Sequence, residues 1–480
     1  MGEGVCRLLR RVFRLFRTPL GGQPETGHAH VAARLIAELA SSSRMPLHRW
    51  DLCRALIGDD GLEALTCALN LLAASPSRPL GKHIQLDLRA NGLSQEGLRH
   101  LGESVARNPA VRVLLLDDND VCPSGIGFLA SAFTQGCTVA HFGFRGNALE
   151  DAGVETLARR LLVASDSCTP SALTRLDLRG NDIGADGAAA LALALQRDGI
   201  ALKHLDLSHN VVGPVGVDSL AQALKHNRSL RHLDLRGTGA GDAGAEALGW
   251  ALGEGSALKF LELSYCGVAD RGAAALAGGL AASAKLAGAG GGLEHLGLAG
   301  GRVEDRGTVA LAAALSAPGG GAAMLSLDLG ENGIGDFGAT SLAKMLSTGA
   351  SSLLRLSLRR NHWLSPAGAG TLARAAMVSG CCLEKLDLAE TELDALIVDD
   401  VAVALAARRA RRLRRELLLE LSLMLRLCMG TASSLPALRH GAAELRDSAT
   451  CSGLALLLRL WTRDAWLGQY VLQGVTAFKV

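Results

Sequence analysis

Leucine and other aliphatic residues recur along this chain in a repeating pattern that changes its period within each unit. In residues 173–195, leucines stand at the first, fourth and sixth places and Asn181 stands at the ninth. This alternation at period 2 predicts a short strand with one buried face. From Gly187 onward, aliphatic residues follow at intervals of four, which predicts a helix with one apolar stripe. Each unit is therefore predicted to form a strand, a loop and a helix.

The units follow one another in a register that can be counted. A degenerate copy at 47–69 begins the series, and later ninth places are 28 to 35 residues apart. A glycine stands near the helix start in eleven of twelve units, and Ile397 replaces it in the last. The ninth-place residues are Asn91, Asn119, Asn147, Asn181, Asn210, Thr238, Cys266, Gly301, Asn332, Asn361 and Thr391. The glycines are Gly61, Gly97, Gly125, Gly153, Gly187, Gly216, Gly244, Gly272, Gly307, Gly338 and Gly368.

A single unit of this kind buries too little apolar surface to fold alone, so neighbouring units must stack and share their core. The predicted fold class is therefore α/β: a right-handed βα horseshoe solenoid. Its parallel strands form the concave wall, and its helices form the convex wall. The ninth-place Asn side chains are expected to satisfy loop backbone groups that no sheet partner reaches. Strands are predicted at 84–88, 112–116, 140–144, 174–178, 203–207, 231–235, 259–263, 294–298, 325–329, 354–358 and 384–388.

These motifs resemble the ribonuclease-inhibitor-like class of leucine-rich repeat proteins. The resemblance covers residues 47–405. The class includes ribonuclease inhibitors, Ran GTPase-activating proteins and the repeat domains of NOD-like receptors. The resemblance implies a leucine-rich repeat solenoid and a protein-binding role. It identifies no individual member of the class, so no functional residue is carried over from it.

Segments of different composition flank the predicted repeat domain at 46–405. Residues 1–45 are predicted to hold a basic amphipathic helix, a linker and an N-terminal cap, and residues 406–480 a helical C-terminal cap. Three roles remain open for the N-terminal helix. It is a terminal segment without a specific function, a targeting signal, or a segment that contacts a partner or a membrane surface through residues 5–17. Its basic face consists of Arg7, Arg10, Arg11, Arg14 and Arg17.

Composition narrows the classes of partner. The chain has 49 basic and 47 acidic residues, so no general attraction to nucleic acid is expected.

Eleven cysteines without a paired spacing indicate reduced thiols, and a cytoplasmic location is predicted, with nuclear or organelle targeting left open. The chain shows neither a secretory signal nor an uninterrupted apolar span long enough to cross a membrane.

One stretch imitates a cofactor motif. Residues 239–244, Gly-Ala-Gly-Asp-Ala-Gly, satisfy the dinucleotide fingerprint in spacing. Sister units carry glycines in the same register, at 184 and 187 and at 213 and 216, so the repeat itself accounts for them. We therefore predict no cofactor, no metal site and no catalytic residue.

The candidate binding site is predicted from the direction in which the side chain at each place of the strand points. The fifth place stands between two buried leucines, so its side chain must point to the concave face. Four consecutive units carry an acid there, flanked by partly basic third and seventh places and by two aromatic residues that favour binding hot spots. The predicted partner-binding residues are Arg175, Asp177, Arg179, His204, Asp206, His232, Asp234, Arg236, Phe260, Glu262 and Tyr265.

Three functions fit these observations. The favoured one is a non-enzymatic interaction scaffold that binds a protein partner on its concave face. The second is a GTPase-activating regulator resembling the Ran-directed family, although the C-terminal region here is basic where that family carries an acidic tail. The third is a sensing or signalling repeat protein resembling NOD-like receptors, acting without a nucleotide-binding module.

Overall fold

The structure is a computed structural model that describes residues 49–391 apart from eight short gaps, together with 403, 405–408 and 410. The predicted N-terminal helix and cap lie outside the described residues, as do Ile397 and nearly all of the predicted cap at 406–480. The domain boundaries therefore stay predictions. The gaps are 75–82, 134–137, 166–171, 198, 287–291, 318–322, 349–351 and 379–380.

Among the described residues, twelve short strands pair in chain order to form one sheet, and all of their pairings are parallel. The prediction of parallel strands is confirmed, and most strands cover the middle three residues of the predicted five. The third strand begins one residue earlier than predicted, at Val111. The strands are β1 Arg49–Asp51, β2 Ile84–Asp87, β3 Val111–Leu115, β4 His141–Gly143, β5 Arg175–Asp177, β6 His204–Asp206, β7 His232–Asp234, β8 Phe260–Glu262, β9 His295–Gly297, β10 Ser326–Asp328, β11 Arg355–Ser357 and β12 Lys385–Asp387.

A helix follows each of the first eleven strands and returns the chain to the start of the next strand. Each helix packs against the helices of the neighbouring units. This alternation of strand and helix confirms the predicted βα solenoid. The helices are α1 Gly58–Ala74, α2 Gln95–Arg107, α3 Pro123–Phe133, α4 Glu150–Ser165, α5 Ala185–Leu195, α6 Gly213–Leu224, α7 Gly241–Gly253, α8 Asp270–Leu286, α9 Asp305–Ser316, α10 Asp336–Ser347 and α11 Pro366–Met377.

One continuous core joins the strand layer to the helix layer. In the β5–α5 unit, Leu176 of the strand and Leu191 and Leu195 of the helix are all buried. Equivalent residues of every unit extend the same apolar cluster from Trp50 to Leu388. The two periodicities of the sequence therefore converge on a single core, because each marks the face that its element turns toward the other.

The ninth-place asparagines join successive units through the loops that follow the strands. Asn210 Oδ1 accepts hydrogen bonds from the backbone N–H groups of Asn181 at 2.8 Å and Ile183 at 3.1 Å. Its Nδ2 donates to the carbonyl oxygens of Leu178 at 2.9 Å and Leu207 at 2.8 Å. The side chain thus satisfies backbone groups of two units at once, as its paired donor and acceptor atoms allow.

Three consecutive units replace this asparagine. Thr238 Oγ1 and Cys266 Sγ both donate to the carbonyl oxygen of Leu235, at 2.6 Å and 2.9 Å. Gly301 has a steric explanation, since a Cβ atom there would lie 2.6 Å from the carbonyl oxygen of Val268. The series of side-chain hydrogen bonds therefore continues through the hydroxyl of Thr238 and the thiol of Cys266. At Gly301 a close approach of two backbone segments replaces it.

At six of the described helix starts, the recurrent glycine makes room for an acid of the preceding unit. Asp305 Oδ1 accepts hydrogen bonds from the backbone N–H groups of Gly335 at 2.8 Å and Gly338 at 2.9 Å. A Cβ atom on Gly338 would lie 2.8 Å from this oxygen. Each such acid caps the helix of the next unit and satisfies N–H groups that the helix leaves free. Equivalent acids are Asp59, Asp151, Asp242, Asp270 and Asp336.

We expect Asp305→Ala to lower the free energy of unfolding by about 1 kcal/mol, the usual value of a lost helix cap. Urea unfolding followed by circular dichroism measures it. The matched control is Asp218→Ala, which removes an exposed carboxylate of α6 that makes no ion pair with a described residue. If Asp305→Ala lowers the free energy of unfolding no more than Asp218→Ala does, the capping role of Asp305 is wrong.

Candidate functional site

The strands display two columns of side chains on the sheet face that points away from the core, which we call the open face. Third-place residues pair in register across β5 to β8, with Arg175 next to His204 and then His232 and Phe260. The fifth places pair in the same way and run from Asp177 to Glu262. Neighbouring strands lie ~4.8 Å apart, so the predicted site residues of these two columns are brought together.

Three of the acids form what we call the acidic stripe: Asp177, Asp206 and Asp234. All three are half-buried, and none lies within ion-pairing distance of a basic group among the described residues. Each carboxylate accepts a hydrogen bond from the backbone N–H two residues on, at 2.9 Å from Arg236 in the case of Asp234. This bond closes the turn at the strand end and holds the carboxylate in place, and it leaves other oxygen lone pairs available.

Burial and repulsion from neighbouring acids disfavour the ionised forms of Asp177 and Asp234. Burial raises the pKa of Asp234 to about 6, the hydrogen bond from the Arg236 backbone opposes the rise, and the charge of Asp206 adds to it. Burial and then the charge of Asp206 also raise the pKa of Asp177. The stripe is therefore a row of carboxylates whose mutual repulsion a bound cation would lower.

Glu262, the fourth predicted acid, has different surroundings. It is only 4% exposed and receives hydrogen bonds from the backbone N–H and the hydroxyl of Ser264. His295 Nε2 and an Arg236 guanidinium nitrogen each lie 3.3 Å from Oε2. Its carboxylate fills the space above Gly297, where a side chain of the next unit would stand. Glu262 therefore anchors neighbouring strands, and its oxygens are already engaged within the sheet.

The third-place column is a row of stacked rings, which we call the ring ledge: His204, His232, Phe260 and His295. The rings of His232 and Phe260 stack with centroids 3.8 Å apart, and those of Phe260 and His295 with centroids 4.1 Å apart. His204 stands at one end of the row, 5.3 Å from His232 and tilted. Burial lowers the pKa of His232 to about 4, helped by His204 and Arg175, so this imidazole is neutral at pH 7.

The seventh and eighth places border the stripe on its other side. Arg179 and Arg236 are half-buried, and Arg236 pairs with Glu262 at 3.3 Å. Tyr265 adopts a left-handed backbone conformation with φ of 58°, and its ring lies over Gly300 of the next unit. Its hydroxyl is hydrogen-bonded to Glu331, which raises the tyrosine pKa. The ring of Tyr265 is nevertheless 48% exposed and available for contact.

Three further residues belong to this face, although the repeat pattern alone did not indicate them. His295 continues the ring ledge, and Arg145 is exposed at the seventh place of its unit. Asp117 fills the space above Gly143 and extends the row of acids by one unit. Burial raises the pKa of Asp117 to about 6, and the charge of Asp177 contributes to the rise. A glycine at the fifth place could have indicated Asp117. Gly143 has no side chain on the open face, and the acid of the preceding unit occupies that space.

The described residues form no other site of the kinds considered from the sequence. The basic helix residues Arg7, Arg10, Arg11, Arg14 and Arg17 all lie outside the described residues. Within the described part of the chain, no cluster of three His, Cys, Asp or Glu residues is placed to hold a metal ion. Among the same residues, no helix is both long and apolar enough to span a membrane.

Comparisons with known proteins agree with this geometry. The family model described as "Leucine Rich repeat" matches residues 171–192, 201–221, 226–249, 257–277 and 324–343. These segments coincide with the units that carry the acidic stripe, and with a later one. The chain therefore contains leucine-rich repeats and folds as a leucine-rich repeat solenoid. These matches indicate no catalytic family, and the comparison with curated proteins finds no match.

Two solved structures are similar to the chain at low sequence identity. The Rad7 and Elc1 complex of yeast contains a chain that is 14% identical, with a TM-score of 0.42, and the match covers 84% of this chain and 86% of that one. The TLR13–ssRNA13 complex contains a chain that is 16% identical, with a TM-score of 0.32. That match covers 65% of this chain and 42% of the other.

Proposed function

We propose that the protein is a non-enzymatic interaction scaffold that binds a protein partner on the open face across β5 to β8. The observation that carries the proposal is the acidic stripe: three in-register carboxylates, fixed by backbone hydrogen bonds, with no ion pair among the described residues. The partner presents basic side chains to the stripe. A bound cation lowers the repulsion between the carboxylates, which makes the contact favourable.

The ring ledge beside the stripe supports the same partner chemistry. Lysine and arginine carry long aliphatic stems below their charged ends. Such a stem packs against the edges of His232 and Phe260 while its charged end reaches Asp206 or Asp234. From β5 to β8 the site spans three strand spacings of ~4.8 Å, or about 14 Å. This width matches an extended segment or the ~10–12 Å diameter of one helix.

We also infer that the repeats belong to the ribonuclease-inhibitor-like class and that the protein works in the cytoplasm. The class is supported by the regular α-helices, 11 to 17 residues long, that follow the strands. The cytoplasmic location is supported by Cys266, whose buried thiol donates the hydrogen bond that replaces an asparagine. That role requires a reduced cysteine, which a reducing compartment maintains.

Charge reversal on the stripe tests the scaffold proposal. Partners are first captured from cells by proximity labelling, with the unaltered chain as bait, and the recovered proteins are then purified and titrated. We expect Asp206→Arg and Asp234→Arg each to abolish binding of the partner, because each places a cation where the partner requires an acid. Tyr265→Ala is expected to weaken binding by removing the exposed ring at the edge of the site.

The matched controls are Asp186→Arg and Asp218→Arg. They make the same substitution at exposed positions on α5 and α6, on the helical side of the same units. Binding must survive in both controls, and circular dichroism must remain native in all variants. A purified partner that binds both stripe variants as tightly as the unaltered chain would overturn the proposal.

A further inference from the structure

Away from the open face, basic side chains gather where two helices lead into the next strands. The α5–β6 and α6–β7 connections, with their flanking residues at 196–203 and 225–231, carry five Lys or Arg residues and one acid, Asp198. Four of the five are exposed and have no carboxylate within ion-pairing distance in the described part of the chain. We call these four residues the basic rim: Arg197, Lys203, Arg228 and Arg231.

The backbone fixes two of these residues side by side. The N–H of Arg231 donates to the carbonyl oxygen of Lys203 at 2.8 Å, and the N–H of Lys203 donates to Thr174 at 2.8 Å. Lys203 and Arg231 therefore occupy the same place immediately before neighbouring strands, with their backbones ~4.8 Å apart. Their positive charges repel each other, and an anion placed between them lowers that repulsion.

The side chains of Arg228 and Arg231 are held in place by hydrogen bonds to the following unit. Arg228 Nη1 donates to the carbonyl oxygen of Gly255 at 2.5 Å, and Arg231 Nη1 donates to Ala257 at 2.7 Å. A guanidinium carries five N–H donors, so each arginine keeps donors for a ligand. Because these side chains are held in place before binding, ordering them costs a ligand less than ordering free arginines.

We propose that the basic rim is a second interaction surface, which binds an acidic extended segment of a protein partner through its carboxylates. Charge complementarity and the fork geometry of arginine both favour carboxylates in this position. A nucleic acid fits less well, because neither connection contains Phe, Tyr or Trp on which a base could stack. The surface is distinct from the acidic stripe and selects the opposite charge.

Fluorescence anisotropy with the full chain tests this surface. The probe is a fluorescein-labelled peptide of alternating Glu and Ser, about ten residues long, which is enough to cross both connections. We expect Lys203→Glu/Arg231→Glu to weaken peptide binding roughly tenfold or more, since attraction becomes repulsion at two contacts. Arg197→Glu/Lys203→Glu is expected to act likewise, and neither of its side chains donates a hydrogen bond to a described residue.

The control is Arg306→Glu/Lys344→Glu on α9 and α10, which makes an equal change in net charge at exposed sites. It must leave peptide binding unchanged, as must Asp206→Arg/Asp234→Arg, so that failure of the rim is distinguishable from failure of the stripe. Any of three results overturns the proposal: no binding by the unaltered chain, equal loss in the control, or tighter binding of a single-stranded oligonucleotide of equal charge.

Discussion

Replacing Leu205 by alanine is expected to lower the free energy of unfolding by roughly 2–5 kcal/mol. Leu205 is fully buried in the middle of β6, between Leu176 and Leu233 of the neighbouring strands. Alanine removes apolar surface and leaves a cavity that neighbouring units cannot fill, because hydrogen bonds on both sides fix the strands. In a solenoid the loss also weakens two interfaces between units.

Urea unfolding of the purified chain, followed by circular dichroism, measures this loss. Leu193→Ala is the matched control, because Leu193 is 60% exposed on α5 of the preceding unit. The control is expected to change stability by less than about 0.5 kcal/mol. A loss below about 1 kcal/mol for Leu205→Ala would show that the repeated leucines do not form the core.

The sequence predicts this fold well, because each unit repeats the same physical argument. The strand predicted at 174–178 is observed as Arg175–Asp177, and even the degenerate copy supplies Arg49–Asp51 as β1. Alternation and the helical stripe are local signals, and twelve repetitions remove the ambiguity of any one. The caps from Asp305 and its equivalents could not be predicted in this way, because they connect residues 27 to 37 positions apart in different units.

The candidate site was predictable only in part. Register alone places Asp177, Asp206 and Asp234 side by side, and the structure agrees. Register does not show that Glu262 is buried, since that depends on the missing side chain of Gly297 in the next unit. The ring ledge likewise depends on rotamers, because the rings of His232, Phe260 and His295 stack only if all three adopt nearly the same orientation.

Glu262→Gln is expected to lower the free energy of unfolding at pH 7 by about 3 kcal/mol. Burial alone raises the pKa of Glu262, but hydrogen bonds from His295 and Ser264 and the charge of Arg236 outweigh it and lower the pKa to about 2. Against the ordinary value of 4.5, this difference of about 2.5 units corresponds to about 3 kcal/mol. Glutamine keeps the shape of the side chain, removes its charge and replaces one acceptor oxygen by an NH2 donor.

The sign of the shift sets the pH dependence. A carboxylate whose pKa is lower in the folded state stabilises the protein above about pH 4.5, and that contribution disappears as pH falls toward 2. The stability difference between the unaltered chain and Glu262→Gln is therefore largest at pH 7 and falls to less than half by about pH 3. The control is Glu304→Gln, an exposed acid without an ion pair to any described residue. A difference that stays constant between pH 7 and pH 3 would mean that the loss comes from the altered hydrogen bonding of the amide and not from the charge of Glu262.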